Sequence, residues 1–365
     1  MIKFNSSPEP TIGVEIELQL VDKKNLDLKN ISSKILAEVN EEFSSNIKCE
    51  LIESMIEINT NICSNIEEVD NDIRKILNYL DKILKNYETE INCTSLHPFA
   101  IGKNQIITND LRYKRIMKDL QMVGKRFISQ GLHVHIGIDN PEVAIKVNNA
   151  LRIYLPLLLS LSTSSPYFEG EDTGLYSYRT KLFEALPLAG MPDYLNNWNQ
   201  FENLTKQLEN AGIINSVKDL WWDIRPHPGF GTVEIRVCDI PINYKEIIAL
   251  VALIQALVVT LIKLEPCQGT HIQILESNKW QAARYGLEGV FVDPKTFKKL
   301  SMKKAIENLF ILVEPALVSL GSKKYRNILE EILISGTGAK KQRKIYSSSK
   351  NFLHMLKTLK EQFYH

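Results

Sequence analysis

The chain has 365 residues, 44% hydrophobic and 24% charged, so it can bury a large core. Its formal net charge of +1 leaves no whole-protein field with which to hold nucleic acid or a membrane surface. Five cysteines (Cys49, Cys63, Cys93, Cys238 and Cys267), odd in number and without a C-x-x-C, speak against a disulfide framework or a zinc ribbon and fit a reducing cytoplasm.

Residues 1–10 lack the basic patch and apolar run of a signal peptide. The first predicted element is a strand over 11–20 (TIGVEIELQL). Its alternation places Glu15, Glu17 and Gln19 on one face and Val14, Ile16 and Leu18 on the other. Residues 32–43 predict a short helix. Residues 47–60 read as one extended stretch in which Glu53, Met55, Glu57 and Asn59 share a face, so Glu53 and Glu57 can join a carboxylate cluster. Ser64 and Glu67 have the spacing of a capping box, ahead of an amphipathic helix whose apolar stripe runs from Ile66 to Tyr87. A strand over 91–96 and a helix over 110–122 follow, and His97, in a predicted turn before Pro98, reads as structural.

Residues 131–137 (GLHVHIG) carry the main signal. Two imidazoles at i and i+2 project from one side of a strand, while Leu132, Val134 and Ile136 turn into a core. Asn140 and Pro141 then start a helix continuing through 151–161. The segment 164–180 is polar, aromatic and glycine-punctuated, in the manner of an ordered functional loop; its Arg179 suits a bidentate hold on a carboxylate. A helix is predicted over 192–208, and the Pro- and Gly-dense stretch 221–231 forms a loop in which Arg225 is a candidate phosphate contact. It leads into a strand over 231–239 with Glu234 and Arg236 on one face, and Val233, Ile235 and Val237 on the other.

From residue 244 onward the pattern is helical: 247–264, 277–287, 294–319, 325–334 and a last helix to 362. The apolar run 247–262 is borderline in length for a membrane span and contains Gln255 and Thr260; it reads as a buried core helix. The one exception is residues 336–343 (GTGAKKQR), read as a loop whose backbone N–H groups and Arg343 suit phosphate, without the spacing of a P-loop.

Taken alone, each i, i+2 pair is equally well the polar face of a half-solvated sheet. Together, three strands in one sheet would gather Glu15, Glu17, Glu234, His133, His135 and Arg236 on one surface. Such groups repel one another or are costly to desolvate unless cations sit between them, and carboxylates with imidazole suit Mg2+ or Mn2+.

With GVEIE (Glu15, Glu17), LHVHIG (His133, His135) and VEIR (Glu234, Arg236) in view, the chain resembles the YbdK-type carboxylate–amine ligases, also called type 2 glutamate–cysteine ligases. SMIEINT around Glu57, SYRT at Arg179, DIRP at Arg225, WQAARYGL over 280–287 and GAKKQR ending at Arg343 extend the match. The His-x-His and Glu-x-Arg elements are also similar to motifs of the wider glutamine synthetase superfamily. The resemblance implies an α+β fold: a single catalytic domain over 1–365 with a glutamine synthetase-like, curved and mostly antiparallel sheet backed by helices. The sheet-forming part covers about 8–240 and a mainly helical part about 243–365.

It further implies ATP-dependent ligation, in which the side-chain carboxylate of glutamate is phosphorylated and then forms an amide with an amine such as cysteine, a weak glutamate–cysteine ligase activity. By resemblance, Glu15, His133 and Glu234 hold the metal that bridges ATP phosphates, and Glu17 with Glu53 or Glu57 holds the one nearer the acceptor carboxylate. His135, Arg236 and Arg343 touch the nucleotide. Arg236, Arg225 and Glu57 act in catalysis, and Arg179 orients the amino-acid substrate. A homodimer is expected on the same ground. Lys340, Lys341 and the Gly229–Gly231 turn depart from the family pattern and bear on acceptor choice. A metal-dependent amide hydrolase using the same groups, or a non-catalytic binding module of the same fold, are the alternatives.

Overall fold

The computed structural model describes residues 2–266 and 269–363; Cys267 lies outside the described residues. The other four cysteines are free thiols, Cys49 half-buried and the rest buried. The strands are β1 (Ile12–Asp22), β2 (Ile47–Cys49), β3 (Met55–Asn59), β4 (Thr89–Asn92), β5 (Gly131–Gly137), β6 (Tyr167–Phe168), β7 (Glu171–Asp172), β8 (Ile224–His227), β9 (Thr232–Asp239), β10 (Val290–Val292) and β11 (Lys299–Ser301). The helices are α1 (Ser32–Glu38), α2 (Ile66–Asn86), α3 (Leu111–Leu120), α4 (Met122–Lys125), α5 (Pro141–Leu151), α6 (Leu155–Ser162) and α7 (Arg179–Glu184), then α8 (Trp198–Asn210), α9 (Tyr244–Lys263), α10 (Ile272–Tyr285), α11 (Met302–Ser319), α12 (Arg326–Ser335), α13 (Gly338–Ser349) and α14 (Phe352–Phe363).

A seven-stranded sheet in the order β2-β3-β1-β5-β9-β8, with β4 also paired to β1, organises the molecule. Every pairing in it is antiparallel. The period-2 patterning decides which face is which. Leu132, Val134 and Ile136 of β5, Val14 and Ile16 of β1, and Val233 and Ile235 of β9 are buried in the main core behind the sheet. That core is closed by α2, α5, α6 and α9. Among the described residues α9 is the one helix long and apolar enough to cross a membrane, and 83% of its apolar window is buried inside the protein. It is a core helix.

Between Leu132 and Val134 the β5–β9 register shifts. Leu132 faces Cys238 and Val134 faces Ile235, so β9 carries one extra residue there, and the consecutive Val237 and Cys238 both lie in the core.

The structure departs from the sequence expectation in several places. The stretch 47–60 is two strands separated by a turn, because Leu20 N–H donates to the Ser54 carbonyl and Glu53 N–H to that of Ile106, which pulls residues 50–54 out of the ladder. The capping box of α2 lies one residue later than expected: Asn65 accepts from Glu68 N–H at 3.0 Å, and Glu68 returns the bond to Ser64 N–H at 2.7 Å. Residues 192–197 are not helical; α8 starts at Trp198, capped by Asn197. In the C-terminal part β11, paired with β10 in a hairpin, stands where the helix over 294–319 was expected to begin, and α11 starts only at Met302. The segment 336–343 is mostly the opening of α13, docked by Ala339 N–H to the Thr163 carbonyl at 2.9 Å and by Gln342 to that of Ser164 at 2.8 Å.

Candidate active site

The front of the sheet is the floor of a cavity of about 290 Å³. Register alone assembles it. Glu15 in β1 stands opposite His133 in β5, His135 opposite Glu234 in β9, Arg225 in β8 opposite Glu234, and Glu17 opposite Glu57 in β3. Five neighbouring strands thus bring their polar positions to one surface, as directly opposed strand residues lie within about 5 Å.

Two groups form. In the first, Glu15, His133 and Glu234 each present a ligand atom within 4.8 Å of the others. Glu15 spans both imidazoles, 3.3 Å from His133 Nδ1 and 3.4 Å from His135 Nε2. Glu234 is held by Arg225 Nε at 2.6 Å and by Arg236 Nη1. Arg225 is itself fixed through Nη1 by the carbonyls of Val217, Lys218 and Leu220 at 3.0–3.1 Å. Burial pushes the Glu234 carboxyl upward, but the two guanidinium groups outweigh it and hold it well below the usual range. Glu15 is likewise held low, its burial overcome by hydrogen bonds from His133 and His135. Burial, with the nearby Arg236 charge, lowers His133 to about 4, so its imidazole is neutral and able to act as a ligand.

The second group is Glu17, Glu50 and Glu57, again with ligand atoms within 4.8 Å. Glu17 accepts from Gly131 N–H at 2.6 Å and Glu57 from Asn59 at 2.8 Å. Burial and the Glu57 charge push Glu17 up to about 7, against the pull of Arg179 and Arg236. Glu50 is driven well above the usual range by burial and by its two carboxylate neighbours, and Glu57 is raised by burial and by Glu15. Three crowded carboxylates with displaced acidities could hold a hard divalent cation. The side-chain Nε2 of His133 is buried without a hydrogen-bond partner, which fits the first group to a metal or a phosphate as well.

The candidate residues sort cleanly. Glu15, Glu17, Glu57, His133, His135, Arg225, Glu234 and Arg236 all line the cavity. Glu53 does not: its carboxylate is taken by Ser32 Oγ (2.9 Å), Ser33 N–H (2.9 Å) and Ser33 Oγ (2.5 Å) at the start of α1, and Glu50 stands in the second group instead. A straight strand over 47–60 would have turned Glu50 away from Glu57; the turn at 50–54 turns it back. Arg343 is also elsewhere, paired with Asp172 at 2.6 Å and stacked 5.0 Å from the Tyr176 ring centre. Arg179 is buried behind the cavity, against Gly131, where a Cβ would collide with its guanidinium. There it backs Glu17 rather than facing the cavity. His97 is structural as expected, bonded to the Leu26 carbonyl at 2.8 Å and accepting from Ala100 N–H at 3.0 Å.

Residues 11–355 match the model of glutamate–cysteine ligase family 2. A protein of Gloeobacter violaceus named "Putative glutamate--cysteine ligase 2" is 38% identical over 364 residues, 98% of each chain. One of Solibacter usitatus with the same name is 36% identical over 93% of this chain and 89% of its own. Among solved structures, a glutamate–cysteine ligase of Francisella tularensis in complex with AMP superposes with a TM-score of 0.74 at 16% identity, covering 99% of this chain and 90% of that one. A bifunctional glutathione synthetase of Pasteurella multocida also gives 0.74 at 14% identity, over 97% of this chain and 52% of that one. These two show a shared fold, a mixed architecture of helices and antiparallel sheet. The relatives and the family model go further, and the chain belongs to glutamate–cysteine ligase family 2.

Proposed function

We propose that the cavity is the active site of an ATP-dependent carboxylate–amine ligase of the glutamate–cysteine type. The observation that carries this is the pair of adjoining carboxylate groups on one sheet face, one ion-paired directly with two arginines and the other with charges only at longer range. In the reaction a side-chain carboxylate oxygen of glutamate attacks the γ-phosphorus of ATP and ADP leaves. The amine nitrogen then forms the C–N bond as the C–O bond to phosphate breaks, releasing inorganic phosphate and one proton.

Phosphoryl transfer asks for positioning and charge neutralisation more than for a protein nucleophile. Glu15, His133 and Glu234 would hold one divalent cation and Glu17, Glu50 and Glu57 another. Such ions, when bound, screen an anionic carboxylate from an anionic triphosphate. Arg225 and Arg236 orient Glu234. The buried Nε of Arg236, which has no hydrogen-bond partner, is a donor for a phosphoryl oxygen. His135, fixed at Nδ1 by Thr232 Oγ1 at 2.9 Å, keeps Nε2 toward Glu15 and the same space. Arg179 acts through Glu17 and not on the substrate directly. The family and its relatives do not favour the amide-hydrolase reading, and the cavity's Glu, His and Arg residues support ligation.

The test is ADP release by the purified protein with Mg2+, ATP, glutamate and an amine, each omitted in turn. ADP that requires both glutamate and the amine is the expected result. Amide turnover without nucleotide, or no ADP in any combination, would overturn the reading. We also expect a homodimer, which a monomeric mass in light scattering at micromolar concentration would refute.

A further inference from the structure

Resting on the ligase reading, we infer that the amine acceptor of this protein carries an aliphatic or aromatic substituent, seated on an apolar wall of the cavity beside the Glu17, Glu50 and Glu57 group. The polar half of the cavity is sheet. Much of the remainder is lined by Leu51, Ile116, Leu120, Phe127, Phe183 and Trp221, drawn from the turn after β2, α3, the segment after α4, α7 and the loop before β8.

This wall begins where the carboxylates end. Leu51 N–H donates to Glu50 at 3.1 Å, and Tyr113, also lining the cavity, donates to the carbonyl of Cys49 at 3.3 Å. Phe127 and Phe183 meet edge to face with ring centres 4.8 Å apart, and the Arg179 guanidinium, which backs Glu17, lies 4.7 Å from the Phe183 centre. Helix α3 has no buried residue, so Ile116 and Leu120 are not there to anchor it in a core; half-buried, they face the cavity. Apolar side chains convergent on a cavity gain when a ligand's apolar group displaces water from them.

A planar group of the nucleotide does not need this wall. His227 and Phe230 stack at 4.2 Å at the opposite edge of the sheet, and their rings lie 5.5 and 5.6 Å from His135, next to Glu234. The short thiol chain of cysteine would leave most of the Phe127–Phe183–Ile116–Leu120 surface wet.

Hydroxylamine separates this inference from the reading beneath it, because it is small enough to trap an acyl phosphate without touching the wall. With Mg2+, ATP and glutamate it should yield the γ-glutamyl hydroxamate. Then kcat/KM is compared for phenethylamine, isoamylamine, phenylalanine and leucine against alanine and cysteine. At least one apolar pair, amine or amino acid, should exceed cysteine by about tenfold or more, the scale set by one or two methylenes in an apolar pocket. The pair that wins tells whether a carboxylate accompanies the apolar group. The double variant Ile116→Ser, Leu120→Ser should bring that ratio toward one. Hydroxamate with cysteine or alanine as the best acceptor overturns the inference, as does a ratio unmoved in the double variant. Absence of hydroxamate overturns the ligase reading and the inference with it.

Discussion

The two carboxylate groups on the cavity floor are held in opposite ways. Around Glu15, His133 and Glu234 the protein supplies its own counter-charges, and the carboxylates stay ionised in a buried place. Around Glu17, Glu50 and Glu57 the cations are farther off, and burial with neighbouring carboxylates, Glu15 beside Glu57 among them, pushes all three toward the neutral acid. One group carries its counter-charges within the fold; on the proposed ligase reading a divalent cation would supply them to the other.

The sharpest way to break the comparison is Glu234→Ala. It leaves the buried Arg225 and Arg236 without their shared partner, so turnover should fall about 10³-fold and stability by about 3–5 kcal/mol. ADP release and urea unfolding read the two effects, and near-normal turnover would refute the assignment. Glu50→Gln is the contrasting change. It should lower turnover roughly 10²-fold, yet raise the stability of the protein in chelator by about 1 kcal/mol, because one repelling carboxylate is gone. Adding Mg2+ should stabilise the wild type by about 2.7 kcal/mol at a concentration near 100 times Kd, and this variant less. A thermal shift that is equal for both would show that Glu50 is not a ligand.

His97 supplies a reference outside the cavity. Burial lowers its pKa to about 4, as it does for His133, but no carboxylate accepts from its ring nitrogens. Its folded pKa lies below the unfolded value of about 6.5, so the unfolded state takes up the proton first. Stability is therefore full above pH 6.5 and falls as the pH drops toward 4, by about 3 kcal/mol from this residue. Urea midpoints of wild type and His97→Asn across that window should converge at low pH. The smallest effect is expected from Glu53→Ala, which removes the acceptor for Ser32 and Ser33 at the start of α1: about 1 kcal/mol in stability and unchanged ADP release.

Much of the site was legible in the chain because a strand's side chains alternate strictly. Once 11–20, 131–137 and 231–239 read as strands, Glu15 and Glu17, His133 and His135, and Glu234 and Arg236 had to emerge in pairs on one face. The assignments that failed all lie where that alternation stops. Glu53 and Glu50 exchanged places because two backbone hydrogen bonds, from Leu20 and Glu53, turn the chain at 50–54, and nothing local in Glu50 to Ser54 announces those distant partners. Arg343 looked like a phosphate contact beside two glycines, but Thr163 and Ser164 dock that segment as helix α13.

The sequence by itself determined the three site-bearing strands at 11–20, 131–137 and 231–239, their polar and apolar faces, and the amphipathic α2 and wholly buried α9, since these follow from periodicity within a few residues. Tertiary structure alone decided which strands are neighbours, that β9 carries an extra residue beside Arg236, that Arg179 lies behind Glu17, and that α3 brings Ile116 and Leu120 to the cavity. Those outcomes depend on contacts between residues tens to hundreds of positions apart, whose free energy is shared among many partners and is written in no single stretch of the chain.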